Sequence, residues 1–70
     1  MSESVSNKVY VLRQAKGATQ EHLGEAVGVT RQTVIAIEKG NYVPSVLLAL
    51  KIAKFFNQPL EKVFKIRYEK

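Results

Sequence analysis

Apolar residues recur three and four positions apart along most of the chain, which is the spacing of one face of an α-helix. Four segments share this pattern, and the residues that carry it are Val9 and Leu12, then Leu23, Ala26 and Val27, then Val34 and Ile37, and finally Val46, Ala49, Ile52, Ala53 and Phe56. Strand-like alternation is nearly absent before the tail, residues 65–70, where apolar and charged residues alternate. We therefore predict an all-α fold with these residues in its core, and a tail that is either a short strand or a frayed end.

Glycines and hydroxyl residues mark the ends of the predicted helices. Gly17, Gly28 and Gly40 each follow a segment of helical composition, where a glycine in the left-handed conformation commonly ends a helix. Soon after each glycine comes a residue that is a good N-cap, namely Thr19, Thr30 and Ser45. Proline is tolerated in the first turn of a helix, so Pro59 indicates a short fifth helix. The predicted helices span about residues 7–16, 20–27, 31–39, 46–56 and 60–65.

Only three residues, Gly28, Val29 and Thr30, separate the second predicted helix from the third. A turn of this length that contains glycine joins two short helices at a wide angle, as in a helix-turn-helix. We expect Val29 to insert into the core between the two helices.

Composition restricts the functions open to the chain. Its 70 residues are enough for one small domain, residues 1–70. They include no cysteine and a single histidine, His22, so we expect no metal and no cofactor. No pair of carboxylates, no nucleophile beside a base and no phosphate-binding loop is visible in the sequence, so we expect no enzyme activity.

Hydropathy and charge bear on location and partners. No apolar run approaches the ~20 residues of a membrane span, and no signal peptide is recognisable, so we expect a soluble, cytoplasmic protein. The net charge of +5 suits a polyanionic partner, either nucleic acid or an anionic membrane surface, although many small soluble proteins are also basic.

The segment QEHLGEAVGVTRQTVIAIEK, residues 20–39, resembles the helix-turn-helix of the lambda-repressor/Cro-like family, also called the xenobiotic-response-element (XRE) family. The resemblance continues through LRQAKGATQ before it and EKGNYVPSVLLALKIAKFF after it, and covers about residues 7–64. It implies a five-helix lambda-repressor-like DNA-binding domain of the short stand-alone type, with the helix-turn-helix in helices 2 and 3. The chain departs from the family pattern at Gly24, where alanine, also small, is usual, at Ala18, which is smaller than usual, and at Ile35 and Leu47, where polar residues are frequent.

The third helix, the recognition helix of this motif, has two different faces on a helical wheel. Val34, Ile37 and Glu38 fall on the inner side. The resemblance implies DNA base contacts on the outer side and at its flanks, by Arg31, Gln32, Thr33, Ile35 and Ala36. The chemistry fits, because arginine pairs with guanine, glutamine with adenine, and threonine or alanine with a thymine methyl group. One alternative is that the first turn of this helix is simply solvated. Another is that Arg31 contacts a phosphate instead of a base.

Contacts to DNA phosphates are expected around this outer face. Gln20 begins the second helix, where free N–H groups attract an anion, and the resemblance implies a DNA-backbone contact for it. The full set of candidates is Gln20, Thr30, Lys39, Asn41, Tyr42 and Ser45. For Tyr42 the alternative is a place in the core, and for Gln20 it is an ordinary exposed position.

Glu38 is a charged residue on the inner side of the third helix, and Arg13 lies beside Val9 and Leu12 on the inner side of the first. A lone buried charge is costly, so we predict an ion pair between Arg13 and Glu38. The family resemblance implies a matching pair. The alternative is two unrelated surface charges.

The chain carries more apolar residues near its C-terminal end than one small core needs. This surplus favours a homodimer, and the candidate interface residues are Phe55, Pro59, Leu60, Phe64 and Ile66. We expect a sequence-specific regulator that binds double-stranded DNA, acting as a homodimeric repressor on a (pseudo)palindromic operator, with no membrane partner and no small-molecule ligand. The alternatives are an antitoxin with the same DNA-binding fold, and a helical protein-interaction module. A membrane-surface peptide is disfavoured because the charges are dispersed among the core positions.

Overall fold

The computed structural model describes residues 2–69 of the chain. This part contains five α-helices and one two-stranded antiparallel sheet. In chain order the elements are β1 (Ser2–Asn7), α1 (Val9–Lys16), α2 (Gln20–Val27), α3 (Arg31–Glu38), α4 (Val46–Phe55), α5 (Leu60–Val63) and β2 (Phe64–Glu69). The five predicted helices are confirmed, but the all-α description is only approximately right because of the sheet. The tail forms a strand, whereas Lys70, its last residue, lies outside the described residues.

The helix ends follow the predicted capping residues. Gly17 and Gly28 have φ angles of 74° and 83°, so each ends its helix in the left-handed conformation. Each predicted N-cap accepts a hydrogen bond from a backbone N–H three residues later, at 2.9 Å for Thr19, 3.3 Å for Thr30 and 3.1 Å for Ser45. These caps fix where α2, α3 and α4 begin.

Two predicted boundaries differ by more than one residue. Helix α1 begins at Val9 rather than near residue 7, because Asn7 belongs to β1 and its Oδ1 accepts the Val9 N–H at 3.0 Å. Helix α5 ends at Val63 rather than near residue 65, because Phe64 already has an extended backbone and pairs with Asn7 in the sheet.

The core lies where the five helices converge. Its largest fully buried side chains are Leu23, Ile37, Ile52, Val9, Val34 and Val63. Two residues predicted for the core are exposed. Val46 is 73% exposed, and Leu48 occupies the buried position on α4 instead. Ala26 is exposed because it lies about 100° around α2 from the buried Val27.

The sheet joins the two ends of the described chain. Ser2 pairs with Glu69, Val5 with Ile66, and Asn7 with Phe64. Side chains alternate between faces along a strand, so Val5, Phe64, Ile66 and Tyr68 share one face with Glu3 and Asn7, and the serines share the other with the charged residues of β2. The N-terminal strand was not predicted, because Ser2–Asn7 contains only one large apolar residue. Within residues 2–69, no helix is both long and apolar enough to cross a membrane.

Candidate nucleic-acid interface

Helices α2 and α3 form a helix-turn-helix with an unusually close approach at Gly24. The carbonyl oxygen of Gly24 accepts the N–H groups of Gly28 at 2.9 Å and Val29 at 2.8 Å. A Cβ atom built on Gly24 would lie only 2.7 Å from the carbonyl oxygen of Val29. Glycine and alanine are therefore not equivalent here, since a methyl group would push the turn away from α2. Val29 itself is partly buried and packs against the core, as expected.

Helix α3 separates buried and exposed side chains along its length. Val34 and Ile37 are buried, and Arg31 and Gln32 at the N-terminal end are exposed. The other candidate base-contact residues, Thr33, Ile35 and Ala36, are half-buried. Long polar side chains are thus presented at one end of the helix, and smaller or apolar side chains continue the surface behind them.

Two threonine hydroxyl groups meet at the start of α3. Thr30 Oγ1 lies 3.2 Å from Thr33 Oγ1 and also accepts the Thr33 N–H. The Thr30 side chain therefore fixes the first turn of the helix, and its hydroxyl group already has a structural role before any DNA is considered.

The ion pair between Arg13 and Glu38 is present and joins α1 to the end of α3. Arg13 Nε donates to Glu38 Oε2 at 2.7 Å, and Arg13 Nη2 donates to Glu38 Oε1 at 3.2 Å. The two side chains are only 10% and 6% exposed. The hydrogen bond to Glu38 raises the pKa of Arg13 above its ordinary value, and burial opposes this without reversing it.

Two further donor groups of this cluster, Arg13 Nη1 and Gln20 Nε2, each make one hydrogen bond. Arg13 Nη1 donates to the carbonyl oxygen of Ala18 at 3.0 Å. Gln20 Nε2 donates to Glu38 Oε1 at 3.1 Å. Among residues 2–69, no buried side-chain nitrogen or oxygen lacks a hydrogen-bond partner. The cluster therefore satisfies the charges that it buries, which is the condition for a stable buried ion pair.

The candidate phosphate contacts lie at both ends of α3. Gln20, half-buried at the start of α2, borders a cleft of about 560 Å³ that is also lined by Thr19 and Arg31. The loop after α3 carries Asn41, whose N–H donates to the Ala36 carbonyl oxygen at 2.9 Å. Tyr42 is 46% exposed, so it does not belong to the core. The other two candidates are Lys39, which is exposed, and Ser45, which caps α4.

Comparison with known proteins agrees with this geometry. A family model described as helix-turn-helix matches residues 9–63. The chain belongs to the helix-turn-helix family. This confirms the resemblance to XRE-type, lambda-repressor-like regulators, which bind DNA.

Three proteins illustrate the range of similarity to this helix-turn-helix chain. YgzD of Bacillus subtilis, an uncharacterised HTH-type transcriptional regulator, is 62% identical over 65 residues, covering 93% of this chain and 98% of YgzD. The cryptic phage CTXphi transcriptional repressor RstR of Vibrio cholerae is 33% identical over 58 residues, covering 83% of this chain and 52% of RstR. The crystal structure of the restriction-modification controller protein C.AhdI of Aeromonas hydrophila superposes with a TM-score of 0.74 at 31% identity, covering 79% of this chain and 83% of that protein.

The helix-turn-helix chain also has an apolar cleft on another part of its surface. This apolar cleft, of about 230 Å³, lies between the α3–α4 loop, the start of α4, α5 and the sheet. Its apolar lining residues are Val5, Val43, Pro44, Val46, Ala49, Leu60, Phe64 and Ile66. Three of the five candidate dimer residues, Leu60, Phe64 and Ile66, are therefore brought together.

The other two candidate dimer residues lie elsewhere. Phe55 packs edge-on against His22, with ring centroids 5.6 Å apart, and the Lys16 ammonium lies 5.1 Å from the centroid of the same ring. Pro59 is exposed and is not among the residues that line the apolar cleft. The five candidates thus do not share one surface. Sequence reasoning missed Val5 because β1 was not predicted, and it misplaced Val46 in the core.

Proposed function

We propose that this protein is a sequence-specific, double-stranded-DNA-binding transcriptional repressor that acts as a homodimer on a (pseudo)palindromic operator. The observation that carries the proposal is the exposed first turn of α3, where Arg31 and Gln32 project from a helix whose opposite side is buried and ion-paired. The similarity to RstR, which is named as a transcriptional repressor, supports the direction of regulation.

Base recognition is assigned to the outer surface of α3. Gln32 is exposed and has the two-ended amide that pairs with the N6 and N7 atoms of adenine. Arg31 lies at the edge of this surface, beside the cleft at the start of α2, so it can bind a guanine edge or a phosphate. Ile35 and Ala36 supply apolar surface for thymine methyl groups. Each good bidentate pair contributes about 1–3 kcal/mol of discrimination between bases.

Backbone recognition is assigned to the two ends of α3. Thr30 lies at the start of α3, and Lys39, Asn41 and Tyr42 follow its end, where Gln20 of α2 also hydrogen-bonds Glu38. Phosphate contacts on both sides would hold the helix in one register in the major groove, because such contacts position a protein without reading sequence. Thr30 and Ser45 already use their hydroxyl oxygens as caps, so a phosphate contact by either would come from its O–H donor.

Dimerisation is assigned to the apolar cleft. Its lining also includes Glu61 and Lys65, which are exposed and have opposite charges. In an interface with two-fold symmetry, each surface meets a copy of itself, so one acidic and one basic residue can form two reciprocal ion pairs. Val43 and Pro44 of the cleft lie in the same loop as Asn41 and Tyr42, so the dimer surface directly adjoins the proposed DNA-backbone contacts.

Selection of bound duplexes from a random pool tests this function. We expect an enriched half-site repeated in inverted orientation, with centres about 34 Å apart on the DNA. The logarithm of affinity should fall with the logarithm of salt concentration, with a slope of about −0.9 per neutralised phosphate. Equal binding of selected and random duplexes would contradict sequence-specific regulation, and absence of duplex binding would favour a helical protein-interaction module.

A further inference from the structure

The carboxylate of Glu38 binds two different elements besides its own helix. Its Oε2 accepts Arg13 Nε at 2.7 Å, and its Oε1 accepts both Arg13 Nη2 at 3.2 Å and Gln20 Nε2 at 3.1 Å. Gln20 is the first residue of α2. One buried carboxylate on α3 therefore holds a neutral amide at the start of the neighbouring helix.

The carboxylate also determines which end of that amide faces it. An ionised carboxylate only accepts hydrogen bonds, whereas a glutamine amide has an NH₂ donor at one end and an oxygen acceptor at the other. The NH₂ group must face Glu38, because the flipped amide would place two acceptor oxygens against each other. Only one of the two Nε2 hydrogens is used, and the second has no acceptor among residues 2–69.

A phosphate oxygen is an acceptor, so a free N–H suits it and an amide oxygen does not. We propose that Glu38 is a positioning residue, which holds the Gln20 amide so that its free N–H is available to a DNA phosphate. This role rests on the DNA binding proposed above. The ion pair between Arg13 and Glu38 then has a second role, since Arg13 fixes the carboxylate that orients Gln20. Holding a glutamine side chain before binding removes part of the entropy cost that ordering it would add.

A double-mutant cycle on DNA affinity tests the proposal. Replacing both charges, Arg13→Met with Glu38→Met, removes the partner of Gln20 while leaving an apolar pair of similar size, an exchange that buried ion pairs often tolerate. Gln20→Ala should weaken binding to the selected duplex about tenfold in the native background, the loss of one hydrogen bond to a charged group. In the double-methionine background, the same substitution should weaken binding about threefold or less, and thermal melts verify that each variant is folded.

Equal weakening by Gln20→Ala in the two backgrounds would overturn the positioning role. If the native protein does not discriminate between duplexes at all, the proposed function fails instead, so the two failures are distinguishable.

Nuclear magnetic resonance tests the same contact without DNA and without a variant. One Nε2 proton of Gln20 should exchange with solvent more slowly than the side-chain amide protons of Gln14, which is exposed and has no side-chain hydrogen bond in the described structure. Exchange of both Gln20 protons at the Gln14 rate would overturn the proposal even if the double-methionine protein failed to fold.

Discussion

Asn7 ties the N-terminal strand to the end of the recognition helix, since its Nδ2 donates to the carbonyl oxygen of Ile37 at 2.9 Å. The same side chain accepts the Val9 N–H through Oδ1. One amide thus satisfies a free N–H at the start of α1 and a carbonyl group in the last turn of α3, both of which helix geometry leaves available for such partners.

Asn7→Ala should lower the free energy of unfolding by about 1–3 kcal/mol, because the Val9 N–H loses its partner and the Ile37 carbonyl oxygen keeps only the Gly40 N–H. Urea unfolding followed by circular dichroism measures the change. Ser6→Ala is the matched control, since Ser6 lies in the same strand and its side chain makes no hydrogen bond within the described residues. Equal midpoints for the two variants would contradict the structural role of Asn7.

Arg13→Ala and Glu38→Ala should each lower the free energy of unfolding by about 3–5 kcal/mol, because each leaves an unpaired charge in a buried site. The pair Arg13→Met with Glu38→Met should cost far less, since no charge is then buried. Thermal melts give the melting temperatures of all three proteins. Single variants with the melting temperature of the native protein would show that the ion pair is not structural.

The stability that Arg13 contributes through the ion pair should not change with pH across the neutral range. The pKa of Arg13 is raised in the folded protein by its hydrogen bond to Glu38. A raised pKa contributes stability that is fully present below the unfolded-state pKa and is lost only as pH rises through the folded-state value, which here lies at strongly alkaline pH.

Gly24→Ala should destabilise the protein by about 1–3 kcal/mol, although alanine favours helices by about 1 kcal/mol over glycine. The added Cβ would lie 2.7 Å from a backbone oxygen of the turn, which cannot move without shifting α3. Glu25→Ala, at an exposed position on the same helix, should change stability by no more than about 0.5 kcal/mol. A Gly24→Ala protein that is more stable than the native one would show that the turn adjusts freely.

Gln32→Ala and Lys39→Ala should affect DNA binding in different ways. Loss of Gln32 should relax the choice of base at one operator position, because its amide is assigned to a base edge. Loss of Lys39 should weaken binding to all sequences alike and reduce the salt slope by about 1, because it is assigned to a phosphate. Affinities for a panel of single-base operator variants, measured at several salt concentrations, separate the two effects. Identical selectivity in the Gln32→Ala and native proteins would contradict the assignment of Gln32.

Ile66→Glu should convert the proposed dimer to a monomer, because it places a charge in the lining of the apolar cleft. Val11→Glu is a close control, since Val11 is 62% exposed and Ile66 is 61% exposed, but Val11 lies on α1 and not in the cleft. Sedimentation velocity over a range of concentrations gives the oligomeric state. A dimer that survives Ile66→Glu, or a native protein that is monomeric at every concentration, would contradict the assigned interface.

Local signals explain how far the sequence alone could reach. The glycines and hydroxyl caps act within one helical turn, so they predicted the helix boundaries to within two residues. The ion pair was also accessible, because a charge on an inward face needs a partner and Arg13 was available on another inward face. The strand Ser2–Asn7 was not accessible, because its pairing depends on β2 at the other end of the described chain. Nor was the exposure of Val46, because the helical wheel cannot tell a core from an apolar cleft.

The pairing of β1 with β2 also has a consequence for the order of folding. Contacts between α2 and α3 close short loops, whereas the contact between Ser2 and Glu69 closes a loop of all the described residues and carries a larger entropy cost. A chain still under synthesis can therefore pack its first helices before β2 exists. The apolar cleft, which needs residues of both strands, is completed only after β2 is made, so we expect self-association through this cleft to begin only once β2 has paired with β1.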